Sequence, residues 1–323
     1  MKRNSFNLGI IVGLMIVFMM IGFIIGMLVI HISYKNKTEA TPVIPKEQPK
    51  IETVHTEEIT NFYYPKRELL PGQILKNSYN QDGFRIDDGF MAYFDEDGKK
   101  ISHLGVDVSY HQPEIDWDEL MTSPVEFIML RCGYRGHSEG GLIEDEKFRE
   151  YAAKANEYGL DMGVYFFTQA LNETEAIAEA DFVISLLSEY DLQYPVAFDT
   201  EYVADKSART NTVEITPEER SKICIAFCER VREAGYYPII YASENWMRRQ
   251  LDLTMLTDYD FWAPQYLDKN DFLFDFTIWQ YTDTGAIPGI KGEVDLDISM
   301  VDYSEFVPGL MEAVKTEGEI GTY

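Results

Sequence analysis

At 323 residues the chain is about twice the length of a typical single domain, and its 55 Asp plus Glu against 28 Lys plus Arg leave a formal net charge of -27. An apolar content of 46% excludes a wholly disordered chain, and so acidic a surface repels phosphate backbones and argues against a nucleic-acid partner. Three Cys cannot build a disulfide framework.

Residues 1–7 form a short basic tail containing Lys2 and Arg3, and the run from Leu8 to Ile30 carries no charged side chain. At the helical rise that run spans roughly 34 Å, enough to cross a bilayer core. No small-residue cleavage pattern follows it, so residues 8–32 read as an uncleaved signal-anchor helix rather than a removed signal peptide. Basic residues flank both sides, and a short cytoplasmic tail with the bulk of the chain outside is the simpler arrangement. The expectation is therefore a single-pass protein of the cell membrane, in contact with lipid through residues 8–32, its main domain extracytoplasmic. Residues 33–60, with Pro42, Pro45 and Pro49 among polar residues, read as an extended linker. Residues 61–102 read as a stalk or small β segment, with a hairpin expected to turn at Asp97-Gly98 after Phe90–Phe94.

The main domain, residues 103–323, alternates short apolar runs with helical patterns. Strands are expected at 104–108, 127–131, 162–167, 196–199, 237–241, 261–263, 276–280 and 294–298. Asn172 with Glu175 caps a helix running to about Tyr190; Thr216, Pro217 and Glu219 cap another that Gly235 stops; Gly159 ends one that begins near Asp145. Strand–helix alternation of this kind implies parallel βα units, and eight strands imply an α/β fold, an irregular TIM-like (β/α) barrel whose last three strands lack clear intervening helices. A doubly wound open sheet is the alternative, though no glycine fingerprint follows the first strand.

In a barrel, chemistry sits at the C-terminal strand ends. Asp107 closes the first strand, Asp199 and Glu201 the fourth, Trp279-Gln280-Tyr281 the seventh, and the eighth carries Asp295 and Asp297. Residues i and i+2 of a strand share a face, so Asp199 and Glu201 point into one cleft. Glycoside hydrolysis needs such a pair: one protonated carboxyl for the leaving oxygen, one negative carboxylate beside the oxocarbenium-like centre. Nearby Asp107 and Asp295 push one pKa of the pair upward.

These residues resemble glycoside hydrolase family 25, the muramidase family of Chalaropsis-type lysozymes. The likeness runs through Gly105-Val106-Asp107-Val108-Ser109-Tyr110-His111-Gln112, Phe127 to Gly136, Gly163 to Ala170, Tyr194 to Glu201, Ile240-Tyr241-Ala242, Trp262-Ala263 with Tyr266, Trp279-Gln280-Tyr281 and Val294 to Asp297, in order, over roughly residues 103 to 300. The resemblance implies hydrolysis of the β-1,4 bond between N-acetylmuramic acid and N-acetylglucosamine in peptidoglycan glycan strands, with no cofactor or metal. It implies Glu201 as general acid and Asp199 as nucleophile or as stabiliser of a substrate-assisted intermediate, with Asp107 and Asp295 completing the acidic cluster. It further implies Tyr165, Tyr241, Trp279 and Gln280 as substrate-facing. Asp297 departs from the family, where Asn is usual, and counts as a substrate-binding residue if it points into the pocket. Two other readings stay open: an inert peptidoglycan-binding scaffold on the same barrel, which the intact Asp199-Thr200-Glu201 opposes, and catalysis on chitin-like glycans.

Among the remaining motifs, none of the five His shows metal-ligand spacing, and Cys224 and Cys228 read as small buried apolar residues of one helix. Arg131 and Arg135 flank the second strand end, where they pair with the acidic cluster or meet a peptide carboxylate.

Overall fold

The computed structural model describes residues 74–112, 114–267 and 270–310. The expected tail, membrane helix and linker, and the first part of the 61–102 segment, lie outside the described residues. Among the described residues no helix is long and apolar enough to cross a membrane.

The first two strands, β1 (Phe84–Asp87) and β2 (Phe90–Tyr93), pair antiparallel across Asp88 and Gly89. Both turn residues have left-handed backbones, φ 48 and φ 89, the geometry that an Asp-Gly step favours in a two-residue hairpin. The hairpin therefore turns one Asp-Gly earlier than expected. The later turn, at Asp97-Gly98, closes only a single bridge between Phe94 and Lys100. This β segment packs on the barrel wall: Phe84 meets Trp279 edge-on at 5.1 Å, and the Tyr79 hydroxyl donates to the Phe276 carbonyl at 3.0 Å.

The barrel follows in chain order: β3 (His103–Val108), α1 (Trp117–Leu120), β4 (Phe127–Arg135), β5 (Leu142–Glu144), α2 (Phe148–Tyr158), β6 (Asp161–Phe167), α3 (Glu173–Leu187), β7 (Val196–Asp199), α4 (Arg209–Thr212), α5 (Pro217–Glu233), β8 (Pro238–Tyr241), α6 (Glu244–Gln250), β9 (Asp260–Pro264), β10 (Ile278–Gly285) and β11 (Val294–Ser299). Around the barrel the order is β3-β4-β6-β7-β8-β9-β10-β11, closed by pairing of β11 with β3, while β5 is an antiparallel flap on β4. Every predicted strand overlaps an observed one. The caps form as the sequence implies: the Thr216 hydroxyl accepts from the Glu219 N–H at 3.2 Å and the Glu219 carboxylate accepts from the Thr216 N–H at 2.9 Å, while Asn172 accepts from the Glu175 N–H at 3.0 Å.

One expectation is corrected here. The barrel is not parallel throughout: β11 runs antiparallel to both β10 and β3. Only 8 residues, 286–293, separate β10 from β11, too few for the helical crossover that a parallel return requires.

Strand alternation sorts the apolar residues into two layers. Val106, Ile128, Leu130, Val164, Phe166, Phe198 and Ile240 point outward and pack under the helices, as where Phe227 of α5 lies 4.7 Å from Phe198. Phe127, Met129, Ala197, Ile239, Tyr241, Trp262 and Ile278 point inward, and Tyr303, Phe306, Val307 and Leu310 plug the end of the barrel beneath them. Gly105 makes room for this inward layer, since a Cβ there would meet the Phe127 ring at 2.2 Å.

Candidate active site

The mouth of the barrel opens on a cleft of about 210 Å³. Each barrel strand contributes an inward side chain to it: Asp107 from β3, Arg131 from β4, Tyr165 and Phe167 from β6, Asp199 from β7, Tyr241 from β8, Trp262 from β9, Gln280 from β10 and Asp295 from β11. Glu201 enters from the loop after β7, because that strand ends at Asp199, but it lines the same cleft.

The reversal of β11 is what brings Asp295 here. In a parallel eighth strand a residue near its start would sit at the closed end. Running antiparallel, β11 begins at the mouth, and Asp295 lies directly across from Asp107 in the register. Two like charges on directly opposed strand positions are unfavourable unless a proton is held between them.

Burial dominates the electrostatics. It raises the Asp107 carboxyl well above its ordinary range, with the Asp297 charge next in importance. It raises Asp199 likewise, reinforced by the negative charges of Glu201 and then Asp107, and it raises Glu201. Asp295 is pushed up to about 8 by burial and then by Asp107. The mouth therefore keeps protons near neutral pH that solvated carboxylates would have lost.

Gln280 organises the rings and acids. Its amide oxygen accepts from the Tyr241 hydroxyl at 3.0 Å and from the Tyr266 hydroxyl at 2.7 Å, which turns its amide nitrogen toward Asp107 at 2.7 Å and Asp295 at 3.5 Å. Trp262 forms the floor, edge-on to Tyr165 at 5.7 Å and to Tyr241 at 4.9 Å. On the other face of the β7 end, the Thr200 hydroxyl accepts from the Trp246 indole of α6 at 3.0 Å, which pins the chain between Asp199 and Glu201.

Of the residues singled out from sequence, Asp107, Tyr165, Asp199, Glu201, Tyr241, Gln280 and Asp295 line the cleft. Two do not. Trp279 is fully buried on the outer face of β10, where its indole donates to the Gln265 carbonyl at 2.8 Å. Adjacent strand residues face opposite ways, so Trp279 and Gln280 could not both point inward. Asp297 does point inward, but two residues deeper than Asp295; it is fully buried beneath the floor, accepting from the Trp262 indole at 2.8 Å. It is a residue under the cleft and not one that touches what enters it.

Arg131 does reach the cleft, where it pairs with Asp145 at 2.8 Å. Arg135 instead turns away to Glu179 at 2.6 Å and to the carbonyls of Gly140 and Glu175. Sequence reasoning did not assign Trp262 and Phe167 to the site. The signal was available, since alternation from Tyr165 places Phe167 inward and register with Tyr241 places Trp262 beside it. Among the described residues no group of His, Cys, Asp and Glu is arranged to hold a metal ion, and all three Cys are buried.

Paired carboxyl groups that hold protons near neutrality, ringed by Tyr and Trp in an open cleft on a barrel mouth, make a site of the glycoside-hydrolase type. The profile of glycosyl hydrolases family 25 matches residues 106–290, more than half of the chain. The chain belongs to that family. It is 24% identical over 194 residues to the autolytic lysozyme of Clostridium acetobutylicum, spanning 60% of this chain and 54% of that one. It is 24% identical over 244 residues to lysozyme M1 of Streptomyces globisporus, spanning 72% and 79% of the two chains. Among solved structures, the modular autolysin LytC of Streptococcus pneumoniae superposes with a TM-score of 0.54 at 26% identity, over 67% of this chain and 52% of that one. LytC has also been solved in complex with a synthetic peptidoglycan ligand. The chain thus spans about half the length of the first of these relatives and of LytC.

Proposed function

We propose that the protein is a membrane-anchored, extracytoplasmic lysozyme that hydrolyses the β-1,4 bond between N-acetylmuramic acid and N-acetylglucosamine in peptidoglycan. The observation that carries this reading is the placement of Asp199 and Glu201 in one cleft with Asp107 and Asp295, at the mouth of a family 25 barrel.

In this reading Glu201 is the general acid. It is the less buried member of the pair and sits past the strand end, and burial keeps its proton available. Asp199 lies deeper, with one carboxylate oxygen lacking any protein partner. That oxygen is free to act on the sugar, either by attack at the anomeric carbon or by holding the substrate's acetamido nitrogen while the acetamido oxygen attacks. Because each negative charge opposes the next, the pair carries one proton between them, which is the state a proton-donating and an anionic group require together. Asp107 and Asp295, tied to Gln280, keep that proton from leaving. The rings of Tyr165 and Tyr241 supply apolar faces for a pyranose.

The uncharged run from Leu8 to Ile30 supports anchoring in the cell membrane, and the linker that follows would limit action to wall close to it. Digestion of purified peptidoglycan with the full-length protein, followed by mass spectrometry of reduced fragments, tests the activity. Fragments ending in reduced N-acetylmuramic acid are expected; fragments ending in reduced N-acetylglucosamine, or no release, overturn it. Fractionation of cells with protease added from outside tests the anchor: a membrane-pelleted, externally cleaved domain is expected.

A further inference from the structure

The floor of the cleft contains a buried carboxyl group that the proposed reaction leaves without a task. Asp297 is fully buried on β11, its side chain directed into the barrel. One of its oxygens, Oδ1, accepts from the Trp262 indole N–H at 2.8 Å. The other, Oδ2, is buried and has no N–H or other donor hydrogen-bonded to it. Another carboxyl, Asp107 on the adjacent β3, lies within hydrogen-bonding reach of Asp297. Two carboxyl groups can hydrogen-bond only through a proton, since two carboxylates offer only acceptors.

We propose that Asp297 is a positioning residue which holds Asp107 through one shared proton, so that the Asp297–Asp107 pair carries a single negative charge beneath the substrate. The proposal rests on the reading of Asp107 as part of a hydrolase site. Three features support it. The register forces the closeness, because Asp107 faces Asp295 across the strand pair and Asp297 follows on the same side of β11. The donors present fit an acid paired with an anion: Gln280 Nε2 bonds Asp107 Oδ2 at 2.7 Å, Trp262 Nε1 bonds Asp297 Oδ1, and Asp297 Oδ2 has no donor of its own. Among the described residues that line the cleft the cation is Arg131, and it is already engaged by Asp145.

The other titratable groups around the pair are acids and buried rings. Asp295 beside Asp107 and Asp283 beside Asp295 are both acids, and so are Asp199 and Glu201 across the cleft. Their charges favour retention of the proton, while the hydrogen bond between Asp295 and Asp107 works against it at Asp107. Tyr165, Tyr241, Tyr266 and Tyr281 are all held neutral by burial and add no charge. Burial pushes Asp297 up to about 8. Asp107 is held well above the ordinary carboxylate range by burial and then by the Asp297 charge, so the pair keeps its shared proton at neutral pH and gives it up only in alkaline solution. Its loss puts a second negative charge beneath the sugar and separates the two side chains.

The Trp262 indole N–H is a reporter that needs no substrate. In the full-length protein its nitrogen–proton resonance, identified by its disappearance in Trp262→Phe, is followed from about pH 4 to about pH 10, a span that covers ordinary and raised carboxyl values. A step above neutral pH is expected in the wild type. Asp297→Asn should abolish that step. Asp107→Asn gives the shared site an amide donor in place of the proton, and should move the step below about pH 5. A wild-type resonance that titrates only below about pH 5, or not at all, overturns the proposal. A second arm uses activity: the alkaline limb of kcat for Asp297→Asn should rise by roughly one pH unit or more, with KM little changed. An unmoved alkaline limb sinks the positioning role. If the wild type lacks hydrolysis altogether but the resonance behaves as expected, the lysozyme reading fails and the shared proton stands.

Discussion

The two ends of the barrel interior are made by the same strands and bury opposite chemistry. At the closed end Phe127 stacks on Tyr194 at 4.2 Å, while Tyr237 meets Phe306 edge-on and both pack tilted against Tyr303. At the mouth, two inward positions further along β3, β4 and β8, the same faces carry Asp107, Arg131 and Tyr241. The closed end gains from burial, because apolar rings leave water and fill the taper. The mouth loses by it, because Asp107, Asp199 and Asp295 are removed from water and respond by holding protons. One end therefore stabilises a strained arrangement at the other, which is what a site with raised carboxyl pKa values needs.

Substitutions that separate the two ends sharpen this contrast. The largest effect should come from Glu201→Gln, which removes the proposed proton donor and should lower kcat on peptidoglycan by roughly 10³-fold while leaving the melting temperature nearly unchanged. Near-wild-type turnover would take the acid role away from Glu201. At the closed end the pattern inverts: Phe127→Ala should cost about 3–5 kcal/mol in denaturant unfolding and leave turnover per folded molecule intact. A large fall in turnover there would show that the two ends are not separable.

Smaller effects probe the connections. Thr200→Val leaves the buried Trp246 indole without its acceptor and should cost about 1–3 kcal/mol, with a modest fall in kcat as the Asp199–Glu201 step loosens. Stability should also depend on pH in a sense opposite to ordinary acid denaturation. Asp295 and Asp297 titrate near 8 when folded and near 4 when unfolded, so the native state binds more protons between those values. Their contribution is complete below about pH 4 and is lost as pH rises toward about 8, and Asp297→Asn should flatten that decline in a melting-temperature series. The smallest effect is expected from Trp279→Phe, which faces the β1–β2 hairpin and should leave KM unchanged. A raised KM would return Trp279 to the site.

Much of this architecture was legible in the chain. The eight strands, the Thr216 capping box and the D-x-E carboxyl pair are local patterns, set by alternation, side-chain caps and spacing along one segment. Asp88-Gly89 was equally local, yet the reading chose the later Asp97-Gly98, because both steps satisfy the same turn chemistry and only pairing with Phe84–Asp87 distinguishes them. Trp279 was misplaced for want of parity: a ring next to Gln280 reads as a neighbour in sequence and is its opposite in a strand.

What the sequence determined by itself was the set of strands, the helix ends, the family likeness and the acids at the strand ends, since each depends on residues a few positions apart. The direction of β11 was left to tertiary structure, because it depends on how a short connection closes the ring. That one reversal sets Asp295 opposite Asp107 at the mouth and drops Asp297 beneath the Trp262 floor, so the depth of each carboxyl group, and hence whether it holds a proton, follows from packing between β3 and β11, whose paired residues lie 188 to 196 positions apart in the chain, and not from any local pattern.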